Sequence, residues 1–211
     1  MRGAAGLFKV GSQLFTAEGP RAIEKLAGLR LKIFLDLKLH DIPNTVAGAV
    51  RAAADLPDVS LLTVHAAGGS AMMAAAREAL SGRKTRPALL GVTVLTSMNS
   101  ATLHEIGMSG TVSSRAVALA KLAENSGLDG VVSSAHEVRA IRRACRPKFL
   151  IVVPGVRPAS AEINDQSRVA TPREAILAGA NYIVVGRPIT GSKDPRAAAL
   201  AITKEMESAR A

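Results

Sequence analysis

The sequence predicts an α/β fold, a (β/α)8 barrel of the TIM type, on three observations. Apolar strand candidates alternate with helical patterns along the chain. The strands are near-continuous apolar runs, as in a parallel sheet covered on both faces. Chemically distinctive residues recur at the C-terminal ends of nearly every strand, whereas a doubly wound sheet gathers them at one switch point. With 211 residues, 48% of them hydrophobic, the chain can bury one sizeable core, so residues 1–211 are read as a single barrel domain.

Strands are expected at Leu7–Val10, Leu31–Lys38, Ser60–His65, Ala88–Leu95, Gly130–Ser133, Phe149–Val153 and Tyr182–Gly186. Between them, a helix over Pro20–Leu29 opens on Pro20, whose missing N–H is harmless in a first turn. The Ala-rich segment Val46–Leu56 ends before Pro57. Helices follow over Ser70–Leu80, Ser113–Ser126 and Ala135–Ala144. Pro172–Ala178 ends at Gly179, a C-cap residue, and Asp194–Ala209 closes the chain. This count gives seven strands where a complete barrel has eight.

Composition excludes several classes. Aromatic residues make up only 2%, which leaves little for stacking on single-stranded nucleic acid. The lone cysteine, Cys145, forms no intramolecular disulfide or cysteine-based zinc cluster and fits a reducing compartment. No apolar run reaches the roughly 18 residues of a membrane span, and the N-terminus lacks a signal-peptide pattern. A cytoplasmic protein with no membrane or nucleic-acid partner is expected. The net charge of +10 is spread along the chain, and a phosphorylated small molecule is its economical partner. The Arg139–Arg146 cluster reads as the solvated face of a helix.

Three motifs carry chemistry. The first is Asp36-Leu37-Lys38-Leu39-His40-Asp41, directly behind an apolar run. On a regular strand, Asp36 and Lys38 leave on the same face and must be paired, hydrated or used. The second is Val185-Gly186-Arg187: Gly186 lets backbone approach a ligand, and Arg187 can fork onto phosphate. The third is Pro154-Gly155-Val156-Arg157 followed by a polar stretch through Gln166, which reads as a lid closing on an anionic substrate. The four histidines show no metal-ligand spacing, and no metal site is expected.

With Phe8-Lys9-Val10-Gly11, Val64-His65-Ala66-Ala67-Gly68-Gly69, Val92-Thr93-Val94-Leu95-Thr96-Ser97 and Asp165-Gln166-Ser167-Arg168, these motifs resemble the bacterial-type orotidine 5'-phosphate decarboxylase family, in family order across nearly the whole chain. The Asp-x-Lys-x-x-Asp block alone marks only the wider superfamily; Thr96, Gln166 and Gly186-Arg187 narrow it. The resemblance implies decarboxylation of orotidine 5'-monophosphate to uridine 5'-monophosphate (UMP), the last step of de novo pyrimidine synthesis, with neither metal nor organic cofactor. It implies Lys38 as proton donor to C6 and Asp36 beside the substrate carboxylate. Lys9 belongs to the same charge network, and Asp41 completes it from the neighbouring subunit of a homodimer with shared active sites. Ile42 and Thr45 come from that subunit too. Thr96 contacts the pyrimidine and Pro154 lines the pocket, while Arg157, Gln166, Gly186 and Arg187 hold the phosphate side.

Relatives begin with a further strand ending in Leu-Asp and a helix, whereas this sequence reaches Lys9 almost at once. A barrel lacking its first strand and helix is therefore expected, with activity in doubt for that reason. The rival readings are a Mg2+-dependent sugar-phosphate decarboxylase or aldolase of the same superfamily, and an inactive nucleotide-phosphate binder.

Overall fold

The computed structural model describes residues 1, 3–158 and 170–209. Among the described residues, seven strands form one sheet in sequential order: β1 (Phe8–Gly11), β2 (Ile33–Leu39), β3 (Val59–His65), β4 (Ala88–Val92), β5 (Gly130–Val132), β6 (Leu150–Pro154) and β7 (Tyr182–Val184). Sequential order is that of a (β/α) barrel wall; a doubly wound sheet reverses direction at its switch point. The strand number and order match the expectation. Several strands are shorter than the apolar runs suggested: β4 stops at Val92 rather than Leu95, and β7 at Val184 rather than Gly186.

The chain divides into two compact units, one of which comprises Gly6–Val92 and Leu122–Gly130. In it β1 to β4 pair parallel, each to the next. The helices are α1 (Ser12–Glu18), α2 (Pro20–Gly28), α3 (Pro43–Ala54) and α4 (Gly69–Glu78). Pro20 and Pro43 occupy first-turn positions, where the missing N–H costs no hydrogen bond. Val10, Ile33, Leu35, Leu62, Leu89 and Leu90 are buried completely. Gly91 keeps β4 close to its cover: an added Cβ would lie 3.1 Å from the Ala123 Cβ and 3.2 Å from Leu128. The Arg86 guanidinium donates to both Asp129 carboxylate oxygens at 2.6 and 2.8 Å, and the Leu89 N–H donates to one of them at 2.8 Å. Burial pushes the Asp129 carboxyl up, but these bonds outweigh it and hold it below its usual range.

The other unit comprises Met1–Ala5, Thr93–Lys121 and Val131–Ala211. Here β6 pairs parallel with β7, and the Ser133 N–H donates to the Val152 carbonyl. The helices are α5 (Ser100–Glu105), α6 (Val112–Asn125, whose last turn lies in the first unit), α7 (Val138–Ala144), α8 (Pro172–Ala178), α9 (Arg187–Thr190) and α10 (Pro195–Glu207). Gly179 caps α8 at φ 107°, the left-handed conformation expected of it. Thr171 and Glu174 close a reciprocal capping box at the other end of α8. The Arg139–Arg146 cluster is not simply solvated. Arg142 is half-buried and donates to the carbonyls of Pro147, Phe149 and Gly179 and to Asn181 Oδ1, at 2.7–3.0 Å. It is a structural residue joining α7 to the ends of its neighbours. No helix among the described residues is long and apolar enough to cross a membrane.

Candidate active site

The charged cluster sits at the C-terminal end of β2, and the strand is irregular there. Leu35 pairs with Leu62, but the next pair is Leu39 with Val64. Asp36, Leu37 and Lys38 therefore stand against the single residue Thr63. This bulge redirects the chain: Lys38 takes φ 52°, in the left-handed region that a side chain with a Cβ rarely adopts. A non-glycine residue held there costs on the order of 1–3 kcal/mol and needs its surroundings to hold it.

Those surroundings are Asp36 and Thr63. Asp36 is buried, at 7% exposure. Its Oδ2 accepts from Lys38 Nζ at 2.8 Å and lies 3.5 Å from Lys9 Nζ. Its Oδ1 accepts from the Thr63 hydroxyl at 3.1 Å. The Thr63 oxygen in turn accepts from the Lys38 backbone N–H at 2.9 Å. A buried carboxylate between two ammonium groups satisfies the rule that interior charges must be paired. Lys9 reaches Asp36 along a path that Gly11 leaves open. Gly11 pairs with Asp36 in the sheet register, and a Cβ on it would come within 2.7 Å of Lys9 Nζ.

Asp36 and Lys38 thus meet as their two-residue spacing predicted, although through a bulge and not through regular strand parity. Lys9 joins them. Asp41 does not: its carboxylate accepts from the Ile42 N–H at 2.6 Å and, among the described residues, makes no ion pair. Ile42, at 66% exposure, and Thr45 are exposed at the start of α3. Behind this cluster, the His40 and His65 rings stack with centroids 5.2 Å apart and planes 18° from parallel. Burial, then His40, then Lys38 hold the His65 imidazole below its usual range. The His65 Nδ1 accepts the Ala67 N–H at 3.3 Å, which identifies the ring as a brace for the turn after β3.

In the other unit, Thr96 lies half-buried in the turn after β4. Pro154 ends β6, and Gly155 turns the chain at φ 74°. Arg157 is buried at 5% exposure, and its N–H donates to the Ala170 carbonyl at 3.0 Å. Gly186 precedes α9, and Arg187 is its exposed first residue. Gln166 lies outside the described residues, as does most of the stretch read as a lid. Thr63 is the one prominent member of the cluster that sequence reasoning missed. Its signal, a polar residue inside the apolar run of β3, was visible.

Sequential parallel strands with a charged cluster at a strand's C-terminal end define the β/α-barrel class. Residues 3–202 match the model of the orotidine 5'-phosphate decarboxylase / HUMPS family. A relative from Nitrosococcus oceani named orotidine 5'-phosphate decarboxylase is 52% identical over 200 residues, covering 95% of this chain and 86% of its own. One of the same name from Syntrophotalea carbinolica is 52% identical over 214 residues, covering 99% and 87%. The crystal structure of orotidine 5'-phosphate decarboxylase from Lactobacillus acidophilus matches with a TM-score of 0.82 at 43% identity, over 94% of this chain and 85% of that one. The chain belongs to the orotidine 5'-phosphate decarboxylase / HUMPS family.

Proposed function

We propose that this protein decarboxylates orotidine 5'-monophosphate to UMP, the last step of de novo pyrimidine synthesis. The observation that carries the proposal is the Lys9–Asp36–Lys38 cluster, formed by residues that match the family motifs. The names of the relatives support this activity over the sugar-phosphate and non-catalytic alternatives.

The chemical problem is the carbanion left at C6. When the bond from C6 to the carboxylate carbon breaks, its electron pair stays on C6, CO2 leaves, and a proton must arrive. The pyrimidine offers no well-placed π system to absorb the pair, so fixed charge must do the work. Lys38 is the donor: its ammonium stabilises the developing carbanion and then protonates C6. Asp36 lies beside the departing carboxylate and holds Lys38 and Lys9 in place. Asp41, with Ile42 and Thr45, serves the site of a second copy in a cytoplasmic homodimer. Their exposure at and before the start of α3 supports that role. Thr96 contacts the pyrimidine and Pro154 lines the pocket. Arg157, Gln166, Gly186 and Arg187 hold the phosphate, whose binding energy is spent at the reacting centre.

The test follows orotidine 5'-monophosphate by absorbance with EDTA present. Turnover unaffected by EDTA supports the proposal. Turnover that needs Mg2+, or that acts on a sugar phosphate instead, favours the other branch of the superfamily.

A further inference from the structure

We infer that Thr63 is a positioning residue for the reaction, the group that holds Lys38 in its left-handed conformation and aims its ammonium. The inference rests on the reading of Lys38 as proton donor. It is carried by an arrangement that nothing in the motif block itself displays.

Thr63 is completely buried on β3, opposite the bulge in β2. Its hydroxyl is committed in both directions. Asp36 is flanked by two ammonium groups and, as a carboxylate, can only accept, so the Thr63 proton points to Asp36 Oδ1 at 3.1 Å. The oxygen lone pair then takes the Lys38 backbone N–H at 2.9 Å. That N–H has left the regular β2–β3 ladder, because three residues of β2 stand against one of β3. The result is a closed loop of contacts. The Lys38 backbone is tied to Thr63, Thr63 to one oxygen of Asp36, and the other oxygen of Asp36 to the Lys38 ammonium at 2.8 Å.

Each part of the side chain has a role here. The hydroxyl is the one group in the loop that both donates and accepts. The branched Cβ restricts its rotamer, so the oxygen is presented in one direction. Valine keeps the shape and loses both bonds, while serine keeps both bonds and loses the rotamer restriction. A side chain that aims a proton donor matters most at the reacting step, where a displacement of about 1 Å costs on the order of 100-fold in rate.

The experiment compares Thr63→Val and Thr63→Ser with the unaltered chain and with Lys38→Ala. Titration with UMP counts binding-competent sites, and kcat is expressed per site. Thr63→Val is expected to lower kcat by about 100-fold with KM changed only a few-fold, and Thr63→Ser to recover it to within about 10-fold of the unaltered chain. Loss of folding alone would lower the number of sites and leave kcat per site unchanged. The inference is overturned if Thr63→Val keeps kcat per site within a few-fold, or if serine is as impaired as valine. Should valine yield no UMP-binding protein, Thr63→Ala carries the same comparison with serine. Failure of the underlying reading looks different: Lys38→Ala would then turn over normally, or the unaltered chain would not act on orotidine 5'-monophosphate.

Discussion

Lys38 combines a backbone conformation that is poor for stability with the proton-donor role proposed for it. Its backbone stands at φ 52°, where glycine is at ease and lysine is not. Lys38→Gly should therefore be more stable than Lys38→Ala by about 1 kcal/mol, read as a higher denaturant midpoint, although both lack the ammonium. Equal midpoints would mean that the conformation carries no strain. His65 makes a second prediction at this scale. Its folded pKa lies below the usual 6.5, chiefly through burial, so the unfolded chain binds the proton more readily. Its contribution to stability is complete above that value and is lost as pH falls below it. Thermal midpoints should drop between pH 7 and pH 5.5, and the drop should shrink in His65→Gln; an identical drop in both would assign it to other groups. Single residues were also the most legible part of the site. Lys9, Asp36 and Lys38 were found by motif, and the structure brings them together. Thr63 gives a weaker signal than a motif does: it is one polar residue in an apolar strand, and its partners stand 25 and 27 positions away in sequence.

At the scale of elements, β1 and β2 are designed around one missing side chain. Gly11 pairs with Asp36, and its lack of a Cβ gives Lys9 a route to the carboxylate. Gly11→Ala should displace the Lys9 ammonium and lower turnover, with a stability change under about 1 kcal/mol, because the group that must move is the free end of a flexible chain. Crystallography of the variant with Lys9 still 3.5 Å from Asp36 would refute this. Strands were legible because parallel strands buried on both faces read as apolar runs, and Gly179 and Pro20 were legible because their conformations are locally dictated. The bulge was not. Strand parity predicts a regular β2, and only the pairing with β3 reveals three residues against one. Helix α1 also escaped notice: none of its residues is buried, so it has no apolar stripe. Helix α5 is six residues long, too short for periodicity, and is announced only by its cap, with Asn99 accepting the Thr102 N–H.

For the molecule as a whole, the proposed function requires a pair of chains for a complete active site. In that proposal Asp41 serves the partner's site and Lys38 its own. Lys38→Ala and Asp41→Ala should each be nearly inactive alone. Mixed, unfolded and refolded together in equal amounts, they should recover about a quarter of normal activity, because half of the dimers are hybrids and each hybrid has one intact site of two. No recovery in hybrids shown to form would mean that Asp41 acts within its own chain. The fold class was legible at this scale, since alternation and sequential placement of strands leave few topologies. A partner chain was expected only through the family resemblance: the residues themselves do not say what meets Asp41 and Ile42, which are exposed in the structure. In the proposed reaction Lys38 delivers the proton that replaces CO2 at C6. The most direct measurement is turnover of orotidine 5'-monophosphate by the unaltered chain and by Lys38→Ala, with UMP binding measured alongside. Turnover is expected in the first, nearly complete loss in the second, and retained nucleotide binding in both. Near-normal turnover by Lys38→Ala would contradict it.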